Sequence, residues 1–120
     1  MKYEMKVVTY NLMCVWDHPK NIRGLTYRAG LVYSKIKKEN PDIIGFQEVS
    51  PLHYDYIVKS MPGYLHEMAY RDDFILSEGC PIFYRADKYE KIDSGSFWLS
   101  ETPEVMSKDW GSAHYRICIY

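Results

Sequence analysis

Pro41-Asp42-Ile43-Ile44-Gly45-Phe46-Gln47-Glu48-Val49 is an apolar run that ends in a carboxylate. A buried strand has little reason to close on a charge unless the charge is used there or the chain leaves the sheet. Upstream, Val7-Val8-Thr9-Tyr10-Asn11-Leu12 is a second run, ending around an amide. Between them Ala29, Val32, Tyr33 and Ile36 recur at i, i+3, i+4, i+7 and predict a helix over 25–39, with Thr26 as its N-cap. Lys35, Lys37 and Lys38 lie near the helix C-terminus, where positive charge suits the dipole, and Asn40-Pro41 stops it. Strand, helix and strand on short links make a right-handed βαβ unit with parallel strands.

Parallel strands bring their C-terminal ends to one edge of the sheet, where ligand sites of open α/β sheets form. Adjacent backbones lie about 4.8 Å apart, so Asn11 and Glu48 can converge on one point. A carboxylate with an amide is a hard-oxygen environment that suits Mg²⁺, Mn²⁺ or Ca²⁺ and not zinc. Plainer readings stand beside this one. Glu48 can cap the helix that begins at Ser50 or be exposed as the strand leaves the sheet, and Asn11 can simply end its strand in a turn. The first strand, 6–13, has Val7, Thr9 and Asn11 on one side and Val8, Tyr10 and Leu12 on the other. Both sides are mostly apolar or aromatic, the pattern of a central strand covered on both faces.

Outward from this unit, Asp17, His18, Pro19, Asn21 and Gly24 mark 14–24 as a loop. Ser50-Pro51 reads as an N-cap with Pro at the first helical position. The helix that follows, roughly 51–60, buries Leu52, Tyr56 and Ile57 and ends at Pro62-Gly63. Strands are then expected at 64–70, 80–85, 89–93 and 96–99, a surface loop at 100–112, and a last strand beginning within 113–120.

The 120 residues suffice for one domain and not for two. Net charge is −1, which argues against a broad basic surface for duplex nucleic acid. Twelve tyrosines suggest half-buried surfaces or a ring-lined cleft, or equally the outer faces of strands. Three cysteines, Cys14, Cys80 and Cys118, lack CxxC spacing and read as free thiols of a reducing, cytoplasmic compartment. There is no signal-peptide core and no apolar span of about 18 residues, so no transmembrane segment is expected.

Thr9-Tyr10-Asn11-Leu12 and the Pro41–Val49 stretch resemble the first two motifs of the endonuclease/exonuclease/phosphatase superfamily. Two further stretches, Glu78-Gly79-Cys80-Pro81-Ile82-Phe83-Tyr84-Arg85 and Asp93–Pro103, resemble its deoxyribonuclease I-like, deadenylase-like bacterial branch, and Asp109-Trp110-Gly111 with Arg116 continues the pattern. The resemblance implies an α/β fold, the N-terminal half of a four-layer α/β/β/α sandwich. It implies a metal-dependent phosphoesterase using Mg²⁺ or Mn²⁺ on a phosphate-ester substrate: nucleic acid, nucleotide, sugar or inositol phosphate, or lipid head group. By motif position Glu48 resembles the family's metal-binding glutamate and Asn11 the asparagine that helps orient the metal-bound phosphate and waters. Glu78, Tyr84 and Arg116 fall inside matching blocks as candidate substrate-binding residues, with structural roles as the alternative.

The same resemblance implies a His in an H-x-D-like strand, a D-x-N pair and a terminal D-H pair, which this chain does not supply. His18, His53, His66 and His114 lie outside those motifs and read as loop or surface residues. Residues 1–120 are therefore expected to be an incomplete domain lacking its C-terminal half, inactive or weak alone. An inner sheet face would lie open, which favours a homodimer, association with the missing half, or a shortened chain. The alternative is a noncatalytic interaction module on the same fold.

Overall fold

β2 (Ile43–Gln47) is the strand on which the others hang. β1 (Val7–Asn11) pairs with it in parallel, from Val7 opposite Ile43 to Asn11 opposite Gln47. β4 (Ile82–Arg85) pairs antiparallel on its other side, and β3 (Tyr64–Glu67) pairs antiparallel with β4. The resulting four-stranded sheet has the order β1-β2-β4-β3. β5 (Ser96–Trp98) and β6 (Ile117–Ile119) form a separate antiparallel pair. This computed structural model describes residues 2–13 and 24–120, with the backbone alone for Leu25 and Thr26. The readings made for 14–23, including Cys14 and His18, lie outside the described residues.

Both helices, α1 (Leu25–Glu39) and α2 (Pro51–Ser60), cover one face of the larger sheet. The strand alternation decides which face. Ile44 and Phe46 of β2 and Phe83 of β4 are fully buried and join Leu12, Ile36, Ile57 and Met61 in one cluster. Phe46 meets Phe83 edge-on at 5.6 Å, and Tyr10 stacks on Phe46 at 6.3 Å. Each such side chain is worth about 1.5–3 kcal/mol in apolar surface removed from water. Asn40, at φ 46°, caps α1 by returning its N–H to the Ile36 carbonyl at 2.8 Å, so Asn40-Pro41 does end the helix.

The opposite face is graded and partly covered, with Ile43, Ile82 and Tyr84 half-buried facing residues 89–94 and Tyr120. One cross-strand row runs Val7, Ile43, Tyr84, Leu65 over all four strands and is apolar or aromatic throughout. The next row, Thr9, Gly45, Ile82, Glu67, is mixed, and beyond it come Asn11 and Gln47. Val7 is 59 % and Leu65 52 % exposed. The fold class expected from sequence is present: a βαβ start followed by antiparallel strands. The radius of gyration is 15.4 Å, against about 13.6 Å for a compact chain of this length, and the molecule is a slab 19 Å thick. Among the described residues no helix is long and apolar enough to cross a membrane.

Several local expectations are corrected. β1 is an edge strand here, because its outer side has no partner among the described residues. The N-cap of α1 is Gly24 and not Thr26, since the helix begins at Leu25 and the Gly24 carbonyl already accepts from Arg28 N at 3.2 Å. In α2 the buried positions are His53 and Ile57, while Leu52 is 60 % exposed. His53 is tolerated inside because Ser50 Oγ lies 3.2 Å from its Nδ1, which also diverts Ser50 from capping. His66 is half-buried, 2.6 Å from the Tyr54 hydroxyl, and of the described histidines only His114 keeps the expected exposed setting. Residues 89–93 form no strand. The bonds of Lys88 to Asp42 and of Lys91 to Glu67 draw this segment across the larger sheet instead of along an edge.

Candidate active site

The register that sets Asn11 opposite Gln47 leaves Glu48 one residue past the end of β2. Leu12 N donates to the Gln47 carbonyl at 3.0 Å, the last rung joining the strands. There Glu48 takes a left-handed backbone, φ 56°, and turns its side chain back toward β1. Asn11 Nδ2 donates to Glu48 Oε1 at 3.1 Å, and Asn11 Oδ1 accepts from Met13 N at 2.8 Å. The Met13 contact fixes which end of the Asn11 amide faces Glu48, because only the carbonyl end can accept it. The Arg28 guanidinium donates to the Leu12 carbonyl at 2.7 Å and to the Met13 carbonyl at 2.9 Å, tying α1 to the strand end. Behind Asn11, Gln47 Nε2 donates to Thr9 Oγ1 at 3.0 Å and to the Gly45 carbonyl at 3.1 Å.

A second segment closes the other flank of Glu48. Val49 and Gly79 exchange N–H···O bonds of 3.1 and 2.8 Å, and Gly79 also bridges Tyr70. Glu78 beside it pairs with Arg71, Oε2 to Nη1 at 2.8 Å, while the Arg71 N–H donates to the Glu78 carbonyl at 3.0 Å. Arg71 Nε is buried and has no hydrogen-bond partner among the described residues. Burial pushes the Cys80 thiol up, nearby Cys118 adds to the effect, and the Glu48 amide partly opposes it. The Trp98 indole N–H donates to the Arg71 carbonyl at 2.7 Å, attaching the β5–β6 pair to this flank.

Asn11, Glu48 and Glu78 thus share one edge of the sheet. Arg116 is exposed, and its carbonyl accepts from Leu99 N at 2.8 Å on the second sheet, one step from Trp98. Tyr84 lies elsewhere. It pairs with Ile43 at the opposite end of β2, about 16 Å along the strand from Glu48, and lines a cavity of about 220 Å³ with Tyr89 and Tyr120. Arg28 and Arg71 were not singled out from sequence. Their roles depend on long-range contacts that no local spacing announces, although Arg71-Asp72 directly follows an apolar run.

Among the described residues no three His, Cys, Asp or Glu converge as a metal cluster. The donor set is one half-buried carboxylate steadied by an amide. It fits a divalent ion that takes one or two carboxylates and keeps its waters, as Mg²⁺ does, and it does not fit zinc.

No protein-family model matches the chain. An endonuclease/exonuclease/phosphatase from Bacteroides vulgatus is 34 % identical and superposes with a TM-score of 0.87 over 98 % of this chain and 46 % of its own. A mannosyl-6-phosphatase from Bacteroides thetaiotaomicron is also 34 % identical, with a TM-score of 0.87 over 97 % of this chain and 44 % of its own. An uncharacterised protein, L388, of Acanthamoeba polyphaga mimivirus is 33 % identical over 71 % of this chain and 34 % of its own. The chain spans a little under half the length of these solved structures and about a third of the viral relative. Over that partial length it carries the fold of the endonuclease/exonuclease/phosphatase family.

Proposed function

We propose that the strand ends at Asn11 and Glu48 are part of a metal-dependent phosphoesterase site that hydrolyses a phosphomonoester or phosphodiester. The observation that carries this reading is the 3.1 Å bond from Asn11 Nδ2 to Glu48 Oε1 across two parallel strands. Glu48 would hold Mg²⁺ or Mn²⁺ through its carboxylate. Asn11 would fix the Glu48 rotamer by a neutral donor that leaves the negative charge intact, and so acts as a positioning residue. When bound, the ion polarises a phosphoryl oxygen and lowers the pKa of a coordinated water. Glu78 holds Arg71 in place beside the site, and Arg116, exposed on the second sheet, would be a cation for a phosphate. Tyr84 is too distant to share in this chemistry. The name of the Bacteroides thetaiotaomicron structure supports a phosphomonoester substrate.

Residues 1–120 are in this reading the N-terminal part of the domain. They contain no D-x-N pair and no terminal D-H pair (Asp17-His18 lies near the N-terminus) to position and activate water, so turnover by these residues alone is expected to be very low. The test compares Mg²⁺-dependent phosphate release from mannose 6-phosphate and hydrolysis of bis(p-nitrophenyl) phosphate. It uses the 120-residue chain and one continued by about 130 residues of its reading frame, a length set by usual domain size. The longer chain is expected to turn over. Glu48→Gln should cost more than the roughly 10- to 100-fold that supporting residues are worth. An inert longer chain, or full activity in Glu48→Gln, defeats the proposal.

The exposed row ends Val7 and Leu65 favour a second reading, a noncatalytic module that buries this face against a second copy. A dimer burying more than about 1,000 Å², with no activity in any longer form, would support it.

A further inference from the structure

A groove of about 540 Å³ lies on the second sheet, away from the Asn11–Glu48 bond, and its lining includes Phe97, Trp98, Leu99, Pro103, Glu104 and Trp110. Trp110 is 73 % exposed, yet it is not a loose surface residue. It sits at φ 54° and is followed by Gly111 at φ 73°, in a turn closed by Ser112 N donating to the Asp109 carbonyl at 3.0 Å. Two central residues of positive φ are the sign pattern of a type I′ turn, whose first central position is dominated by Gly, Asn and Asp. A bulky indole there is an outlier. Such outliers persist where the surroundings enforce them, and they gather at ligand clamps. The bracing is present on both sides of the turn. Asp109 Oδ2 accepts from Glu101 N at 2.8 Å. Lys108 Nζ donates to the Ala113 carbonyl at 3.2 Å and lies 5.5 Å over the Tyr115 ring.

We propose that this groove binds a carbohydrate ring, with the Trp110 indole as the stacking platform. A sugar presents one face of C–H groups that pack on an aromatic plane and a rim of hydroxyls that need polar partners. The groove offers both, with the Glu104 carboxylate as an acceptor for sugar hydroxyls. The same carboxylate, in a chain of net charge −1, disfavours a polyanionic strand. The groove also has a fixed relation to Glu48. Trp98 in its wall is bonded to Arg71, Arg71 to Glu78, and the next residue, Gly79, to Val49. Arg116 lies beside Leu99 of the groove lining, whose N–H its carbonyl accepts. That the sugar is a phosphate ester rests on the phosphoesterase reading; the ring-binding surface does not.

The test follows the Trp110 indole N–H resonance while unphosphorylated methyl glycosides of glucose, galactose and mannose, and separately AMP, are titrated in without metal. A methyl glycoside is expected to shift that resonance saturably. Trp110→Gly suits the left-handed φ and spares the turn, and it should weaken binding by at least about fivefold, measured by calorimetry, as expected for loss of one stacked ring. Glu104→Gln should weaken it while leaving the fold unchanged by circular dichroism. Glu48→Gln should bind the methyl glycoside normally, which separates this surface from the proposed metal site. No shift with any glycoside, equal affinity in Trp110→Gly, or saturable binding of AMP alone would each overturn the proposal.

Discussion

At the scale of single residues, Glu48 shows a conflict between backbone and side chain. Its φ of 56° is costly for a residue with a Cβ, by roughly 1–2 kcal/mol, and glycine would occupy the position freely. The expected outcome is that Glu48→Gly is more stable than Glu48→Ala by about 1 kcal/mol in urea denaturation, the reverse of their order inside a helix. Equal stabilities would mean that the left-handed backbone is not held in solution. Asp42 makes a different prediction. It is buried, accepts from Lys88 Nζ at 2.7 Å and from Lys6 N at 2.8 Å, and these bonds hold its carboxyl below the usual range, the Lys88 bond most. A depressed folded pKa gives stability that is present above the unfolded pKa of about 3.9 and is lost as pH falls through the folded value. Asp42→Asn should thus be less stable than the native chain at pH 7, and the two should converge below about pH 4, followed by urea midpoints. A gap that stays constant with pH would rule out this linkage. The sequence made Glu48 visible because a charge ended an apolar run. Asp42 passed unnoticed because its partners, Lys6 and Lys88, are 36 and 46 residues away.

At the scale of elements, period and punctuation carried most of the fold. The apolar stripe of α1, the Asn40-Pro41 stop and the parallel register of β1 with β2 follow from local pattern, because each is decided within a few residues or by the handed βαβ connection. The errors fall where a distant contact overrides the pattern. Residues 89–93, expected as a strand, are drawn across the sheet by two lysines, and α2 turns His53 inward in place of Leu52. The candidate site divides in the same way. Asn11 and Glu48 lie on the elements that were easy to place, whereas Arg71 became visible only when 70–79 folded beside Val49. Gly79 is the hinge of that contact. A Cβ there would meet the Ala69 carbonyl oxygen at 2.5 Å and the Met68 thioether at 2.6–2.7 Å. Backbone cannot yield as a side-chain tip can. Gly79→Ala should therefore push Glu78–Cys80 off Val49, costing about 1–3 kcal/mol by overpacking. It should also speed hydrogen exchange at the Val49 and Gly79 amides, which bond each other's carbonyls, while leaving β1–β2 protected. Unchanged exchange at those two amides would contradict the packing described.

At the scale of the whole molecule, the helices cover one sheet face, and the other is covered only in part, by residues 89–94 and Tyr120. The accessible surface is 8315 Å², against about 6,800 Å² for a compact monomer of 14.2 kDa. The difference of roughly 1,500 Å² is of the order of a complete protein interface. Part of that surface is the two ends of the row, Val7 and Leu65, which stay exposed, whereas Ile43 and Tyr84 between them are half-buried facing Tyr89–Ser94 and Tyr120. Exposed apolar surface of this kind drives association in water. The 120-residue chain should therefore show concentration-dependent sedimentation and bind an apolar dye such as ANS. Leu65→Thr and Val7→Thr put β-branched, strand-compatible side chains at both positions while removing apolar contact, so they should weaken self-association by about 1 kcal/mol each without lowering helix content. The choice of positions makes the prediction selective. Leu52 is as exposed as Val7 but stands on α2, so Leu52→Thr should leave association unchanged. Loss of association in Leu52→Thr, or its persistence in the Val7 and Leu65 double variant, would show that the graded face is not the surface that seeks cover.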